Sequence, residues 1–202
     1  MVFNEPEVAR NFSSPSATAA VVHFGSLSPL IDGSPWSVIA VLRPTGVAEY
    51  GGIVARRAGF DVGNHQFSCL LIDGHFAVSA DNKERRSKLV PPLDEWSMAC
   101  AAMSAEGVQF CLGLSTGQVQ EESTPAPLPV GTTSTEIMLR VGHLGGSFPG
   151  MMGLVCLYSQ RLDVAAMRAA CAGEINPLDL PGLAFAWQPS ASGDSDRVSR
   201  RR

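Results

Sequence analysis

The chain has no long apolar run, little charge and few aromatic side chains, and each shortage removes a class of function. The longest stretch nearly free of polar groups runs from Gly150 to Tyr158, far below the 18 or more residues of a membrane-spanning helix. No membrane insertion is therefore expected. Charged residues make up 17% of the chain against 45% apolar, the reverse of what a disordered polymer needs. Fifteen basic residues face nineteen acidic ones, for a net charge of −4. That balance gives no pull toward nucleic acid or an anionic membrane. Basic residues do gather at Lys83 to Lys88 and at Arg197 to Arg202, but Glu84, Asp194 and Asp196 interrupt or flank them. No aromatic residue interleaves, so the stacking platform of a single-strand binder is missing. The two clusters read as a solvated loop and a tail, with Arg200, Arg201 and Arg202 left as candidates for docking on an acidic neighbouring subunit.

Catalytic sets are equally scarce. Glycoside hydrolysis needs two carboxylates facing one sugar, and no E-x-D-x-x-E alternation occurs. Asp94 and Glu95 are adjacent, so on a strand they would point to opposite faces, and they read as a loop cap before Trp96. Gly113-Leu114-Ser115-Thr116-Gly117 matches the nucleophile-elbow pattern, but that motif works only where a parallel strand turns into a helix. Here it follows a hairpin strand and runs into a Pro-rich stretch, so a structural turn is expected. The four histidines, His23, His65, His75 and His143, are scattered. His65 and His75 bracket one strand, which leaves an approach of the two rings open, yet no third group is spaced to complete a metal or catalytic site.

The five cysteines, Cys69, Cys100, Cys111, Cys156 and Cys171, are odd in number and have no short spacing. They form neither a disulfide framework nor a zinc pattern. Four lie in apolar runs, and all are read as buried reduced thiols packing as small hydrophobes, in keeping with assembly in a reducing cytoplasm. Met1 to Glu7 carry two acids and no basic region, so no secretory signal is expected. The Asn11-Phe12-Ser13 sequon then has no glycosylation to receive.

What is present is Gly (20) and Pro (14), together above the roughly 12% of an average chain, distributed between short apolar runs. Ala20–Phe24, Trp36–Leu42, Ile53–Arg56, Phe67–Ile72, His75–Ala80, Trp96–Met103, Val108–Leu114, Glu136–Gly142, Gly150–Tyr158 and Gly182–Trp187 read as strands. Asp73-Gly74 between two of them is a hairpin signal, because both turn residues tolerate positive φ. Asp81 to Lys88 reads as a charged loop, and Gly117 to Thr135 as a long loop with room for one short strand. Only one segment reads as helix: Asp163 caps it, Val164 to Ala172 are good formers, and Gly173 ends it. Strands at such spacing predict an all-β protein, an antiparallel β-sandwich with one short helix near the C-terminus. The division expected is an N-terminal arm over 1–17, the sandwich over 18–189 and a basic tail over 190–202.

The order of the motifs resembles a family. Trp36-Ser-Val-Ile-Ala-Val-Leu-Arg-Pro44 precedes Gly51-Gly-Ile-Val-Ala-Arg56 and Phe67-Ser-Cys-Leu-Leu-Ile-Asp-Gly-His-Phe76. Trp96-Ser-Met-Ala-Cys-Ala101, Val108-Gln-Phe-Cys-Leu-Gly113, Leu139-Arg-Val-Gly142 and Phe148 to Tyr158 follow. Over residues 18–187 this is similar to the concanavalin A-like lectin/glucanase superfamily, in particular its laminin-G-like and pentraxin-like jelly rolls. The resemblance implies a jelly-roll sandwich. It departs at Ser97 and Met98, where the family writes two histidines, and at Gly113, where a Tyr-x-Asp-Gly turn is lost. Cys100 falls where pentraxins keep one half of a disulfide. The other half would lie in the Trp36 strand, at Ile39 or Ala40, so Cys100 is expected to be a lone thiol. Related folds hold calcium at loop tips, where Asp61, Asn64, Asp73, Asp81 and Asn82 are the candidates here. No D-x-D-x-D-G loop is present, and no cofactor is expected.

The function that follows is a non-enzymatic structural or adhesion protein of a virus particle, such as a phage minor tail, fibre or head-decoration subunit. Such a subunit is made in the host cytoplasm without a signal peptide. Its partners would be other virion proteins, copies of itself or a host-surface glycan. A free carbohydrate-binding protein is the alternative, and a glycan hydrolase the remaining one. Trp187, Asn64, Asp73 and Asn82 are the candidate ligand-binding residues. Trp96 is assigned to the core, because Met98 and Cys100 extend its face, whereas Trp187 fits the core and a binding face equally.

Overall fold

The computed structural model describes residues 6, 9–13, 20–24, 35–58, 65–80, 83–125, 137–144, 146–189 and 197–199. The chain opens with β1 (Arg10–Asn11), β2 (Ala20–Phe24), β3 (Trp36–Pro44), β4 (Tyr50–Ala58), β5 (His65–Ile72) and β6 (His75–Ala80). Next come β7 (Lys83–Arg86), β8 (Ser97–Ser104), β9 (Gly107–Leu114), β10 (Val119–Thr124) and β11 (Ile137–Val141). The short β12 (His143–Leu144) and β13 (Gly146–Ser147), then β14 (Gly150–Tyr158), lead to helix α1 (Val164–Cys171), a 3-10 turn at Pro177–Asp179, β15 (Leu183–Gln188) and β16 (Arg197–Ser199). Among the described residues, one sheet runs β10-β9-β8-β3-β14-β15-β16 with β1 added to β14, and the other runs β2-β11-β4-β5-β6-β7. The strand pairings within both sheets are antiparallel. The expected all-β jelly-roll sandwich with one short helix is the fold observed.

Two layers of apolar packing explain the sequence. Between the sheets, Val38, Ala40 and Leu42 of β3 meet Ala99 and Ala101 of β8, Phe110 and Leu112 of β9, and Phe67, Cys69, Leu71, Phe76 and Val78 from the opposite sheet. Trp36 stacks on Phe67 at 4.4 Å, and Phe76 meets Phe110 edge-on at 5.6 Å. On the other side of the first sheet, Ile39, Val41, Met98, Cys100, Cys111 and Cys156 pack under α1 through Met167, Ala170 and Cys171. Because β3 is covered on both faces, its sequence is a continuous apolar run instead of an alternation. Trp96 belongs to this second layer and is buried, as its neighbours Met98 and Cys100 imply.

Helix α1 is placed by local chemistry. The Asp163 carboxylate accepts the Ala166 N–H at 2.6 Å, and Gly173 leaves the last turn at φ +71°. Its Met167, Ala170 and Cys171 fall on one stripe at helical spacing. Gly113 of β9 lets the helix end come close: a Cβ there would stand 2.3 Å from the Cys171 carbonyl oxygen. The buried Ser37 hydroxyl fastens the chain leading into α1, donating to Gln160 O at 2.9 Å and accepting from Leu162 N at 2.8 Å.

Three segments differ from the sequence expectation, and a fourth agrees with it. Lys83–Arg86, read as part of a charged loop, is the edge strand β7 paired to β6. An outermost strand meets water along its free side, and charges there block further pairing, so polarity hides the strand from hydrophobic patterning. The long loop contains the one short strand for which the sequence left room, β10, which also lies at an edge. Within the tail, Arg197–Ser199 pairs with β15. Within the arm, Arg10 and Asn11 pair with Met152 and Met151, Phe12 N–H donates to Gly150 O at 2.7 Å, and the Phe12 ring is buried 6.0 Å from Trp187 with the Arg10 guanidinium over it. Residues 10–12 are therefore anchored on β14 and in the core.

Phe12→Ala and Trp96→Ala are each expected to lower the unfolding free energy by about 3–5 kcal/mol, the range for deleting a buried aromatic ring. Chemical-denaturation midpoints measure this. A midpoint unmoved by Trp96→Ala would place that ring at the surface.

Candidate binding surface

One end of the sandwich carries an unusual surface. Five large apolar side chains among the described residues are exposed, and four sit at this end: Val47 (62%), Leu93 (50%), Val90 (47%) and Tyr50 (41%). They come from the loop after β3, the start of β4 and the loop between β7 and β8. The loops are tied to each other and to the sheets. Asp94 N–H donates to Pro44 O at 2.7 Å, and Arg43 Nε donates to Asp94 O at 2.9 Å. Thr45 N–H donates to Pro149 O at 2.7 Å. The β5–β6 hairpin closes the group with Asp73 at φ +48° and Gly74 at φ +82°, the mirror-image turn that the Asp-Gly pair predicts. A Cβ on Gly74 would lie 3.7 Å from Val47 and 4.0 Å from Val90, so the bare glycine is the floor between the two valines. Asp94, at φ +60°, is the other non-glycine residue with positive φ among those described.

Polar groups border the apolar patch. Arg86 Nη1 and Asp73 Oδ2 pair at 3.0 Å with both side chains substantially exposed. His75 is half-buried, and its Nδ1 has no hydrogen-bond partner. Tyr50 stands beside Asp73, since Tyr50 pairs with Ile72 and Asp73 N–H reaches Glu49 O. The exposed Tyr50 side chain and the exposed Asp73–Arg86 pair thus lie on adjoining segments of the same end, one apolar and aromatic, the other able to hydrogen-bond. Neither the exposure of valines nor the approach of these loops is readable from sequence, because loop residues far apart in the chain build the patch. The Asp-Gly turn was the one local signal.

Of the candidates from sequence, Asp73 lies in this surface. Asn64 and Asn82 lie outside the described residues, as do Arg200, Arg201 and Arg202. Trp187 is corrected: it is fully buried between the sheets against Phe12, with its indole N–H unpartnered, so its ring offers no face to a ligand. Ring burial wins here because the ring lies in the apolar layer between the sheets, where Phe12 packs against it. His65 and His75 do not approach. His75 pairs with Ile72, while His65 lies at the far end of the same strand, about 23 Å away at the rise of a β-strand.

The remaining polar motifs are structural. From the β9–β10 connection, where Gly117 has φ +84°, Ser115 Oγ donates at 3.0 Å to Glu95 Oε2 in the loop before β8. The serine has no adjoining helix start. Glu121 and Glu122 point to opposite faces of β10: Glu121 holds Arg168 of α1 at 2.6 Å, and Glu122 accepts Lys88 N–H at 2.6 Å. No group of three or more His, Cys, Asp or Glu able to hold a metal occurs among the described residues, and Asp73 alone of the calcium candidates is described. No described helix is long and apolar enough to cross a membrane.

Arg86→Ala is expected to change the unfolding free energy by less than about 1 kcal/mol, because the Asp73 pair is exposed. Thermal and urea unfolding measure this; a larger loss would make the pair part of the scaffold instead of a free recognition group.

No family model and no curated protein sequence matches the chain. Solved structures share its fold at low identity. A heptameric SAP-like pentraxin from Limulus polyphemus is similar at a TM-score of 0.57 and 11% identity, over 96% of this chain and 92% of the pentraxin chain. Domain 4 of an extracellular arabinanase from Geobacillus stearothermophilus, in complex with arabinotriose, gives 0.54 and 14%, over 84% of this chain and 83% of that one. The enzymatically active domain of tailspike protein 2 of bacteriophage CBA120 gives 0.53 and 16%, over 91% of this chain and 33% of that one. These likenesses, with the two-sheet topology, establish an antiparallel jelly-roll β-sandwich as the fold of this chain.

Proposed function

We propose that this chain is a non-catalytic contact module of a multi-copy assembly, in the first place a virus particle, and that the Val47–Tyr50–Val90–Leu93 end is the face it presents. The observation that carries this reading is four exposed apolar side chains held on loops that the main chain ties together. A contiguous apolar surface on a soluble domain is a mark of an interaction site, and fixed loops lower the ordering cost of contact. The likeness to a phage tailspike and to a pentraxin described as heptameric supports repeated copies on a particle. A face of this size binds weakly alone, and multiple copies raise the avidity through effective concentration. Assembly in the host cytoplasm agrees with five buried free thiols.

A second reading is favoured by one detail. An exposed tyrosine and an exposed Asp73–Arg86 pair at the same end supply the groups that pack on the apolar face of a sugar and hydrogen-bond its hydroxyls, and the arabinanase domain with the same fold is seen with arabinotriose. Under that reading the partner is a glycan, on a host surface or free.

The variant Val47→Ser/Val90→Ser/Leu93→Ser is expected to keep its unfolding midpoint and to lose association at least about tenfold, or about 1.4 kcal/mol. Sedimentation of the free protein and its incorporation into particles measure this. Loss of glycan affinity on Tyr50→Ala with unchanged assembly would select the second reading. Normal assembly and glycan binding by both variants, or turnover of a glycan by the wild type, would sink the proposal.

A further inference from the structure

A second feature lies on the opposite side of the first sheet from the core. Cys100 on β8 was expected to be a lone thiol, and the register shows why the pentraxin position cannot bridge it: its partner on β3 is Ile39. The thiol is nevertheless not alone. Cys171, in the last turn of α1, brings its Sγ to 3.4 Å from Cys100 Sγ, and it also lies 3.4 Å from Met98 O. Cys111 stands opposite Cys100 on β9 and completes a buried group of three thiols. Gly113 permits this arrangement, since any side chain there would push the Cys171 backbone away.

We propose that Cys100 and Cys171 are a cross-linking site, and that a low-molecular-weight disulfide such as oxidised glutathione converts the pair into a bond latching α1 to β8. One protein thiolate attacks the small disulfide, forms a mixed disulfide and releases one small thiol. The second protein thiol loses its proton and displaces the other small thiol, forming the Cys100–Cys171 bond. Two protein thiols are oxidised and one small disulfide is reduced to two thiols. The final step is intramolecular, and sulfurs 3.4 Å apart need only a small approach to reach a bond of about 2.0 Å.

Burial, and then the neighbouring Cys171, pushes the Cys100 thiol well above its usual range, and burial pushes Cys111 up to about 12. In the closed protein these thiols stay protonated and shielded. Exchange therefore runs through opening of α1, an eight-residue helix too short to persist without its packing. Cys171 sits on the element that opens, whereas Cys100 and Cys111 are both held in the sheet. This asymmetry selects the helix–sheet bridge over a cross-strand bridge between Cys100 and Cys111.

The experiment uses the full chain, purified reduced and then incubated with oxidised glutathione. Alkylation under denaturing conditions is expected to mark all five cysteines before oxidation and three after it. The oxidised chain should be lighter by two hydrogens, and peptide mapping should find Cys100 joined to Cys171. Unfolding in denaturant should slow by about tenfold or more, because the bridge constrains the open chain. Cys111→Ser should still form the bridge, and Cys171→Ser should retain all four of its thiols. Five free thiols after prolonged oxidation of the wild type, or a bridge that joins Cys100 to Cys111, would overturn the proposal. Mapping of the wild-type protein decides the matter even where a serine variant fails to fold.

Discussion

Everything in this molecule depends on a sheet that is dry on both sides. β3 and β14 lie in the middle of it, with the opposite sheet against one face and α1 with its flanking turns against the other. At about 25 cal/mol for each Å² of apolar surface removed from water, a strand covered twice contributes nearly double one covered once. That demand sets the composition. β8 reads Ser-Met-Ala-Cys-Ala-Ala-Met-Ser because its two faces must fit tightly under neighbours that include large rings. The helix is only eight residues long and is held by the layer it covers.

The same demand decides what sequence patterning can find. β3, β8, β9 and β14 announce themselves as nearly continuous apolar runs, and the hairpin at Asp73-Gly74 announces itself by turn chemistry. β7 and β10 lie at the outer edges of the two sheets; their charges meet water and partners on other elements, such as Asp73 and Arg168, and carry no apolar period to detect. β1 is two residues long and is defined by one ring, Phe12, whose burial depends on where β14 and β15 run. Trp187 shows the limit from the other side. A tryptophan followed by Gln-Pro can end at a surface or under one, and only the layer that covers its face of β15 settles it.

The candidate contact face was nearly invisible for a related reason. Its four apolar residues are separated by up to 46 positions in the chain, Val47 to Leu93, and each one alone is an ordinary exposed side chain. They become a surface only because Gly74 leaves a floor between Val47 and Val90, and because main-chain bonds from Asp94 and Thr45 fix the loops. The charged pair Asp73–Arg86 stands at the border of this patch, where an ion pair is inexpensive to break and available to a polar partner. The cysteine pair is the converse case: chemistry hidden under a helix, legible as residue types but not as neighbours.

The docking of Phe12 has a consequence for the order of assembly. β15 takes the far half of one edge of β14, Val155 to Tyr158, and β1 takes the near half at Met151 and Met152. Two segments from opposite parts of the chain thus share one edge, and the first to be synthesised must wait for the last. Until β14 has left the ribosome, Phe12 has no cavity to enter, and Trp187 later closes the other side of that cavity. The nascent chain therefore carries Phe12 without its packing partners until β14 and β15 have followed it. Closure of the sandwich is a late, long-range event, of the kind that makes β-proteins slow to fold.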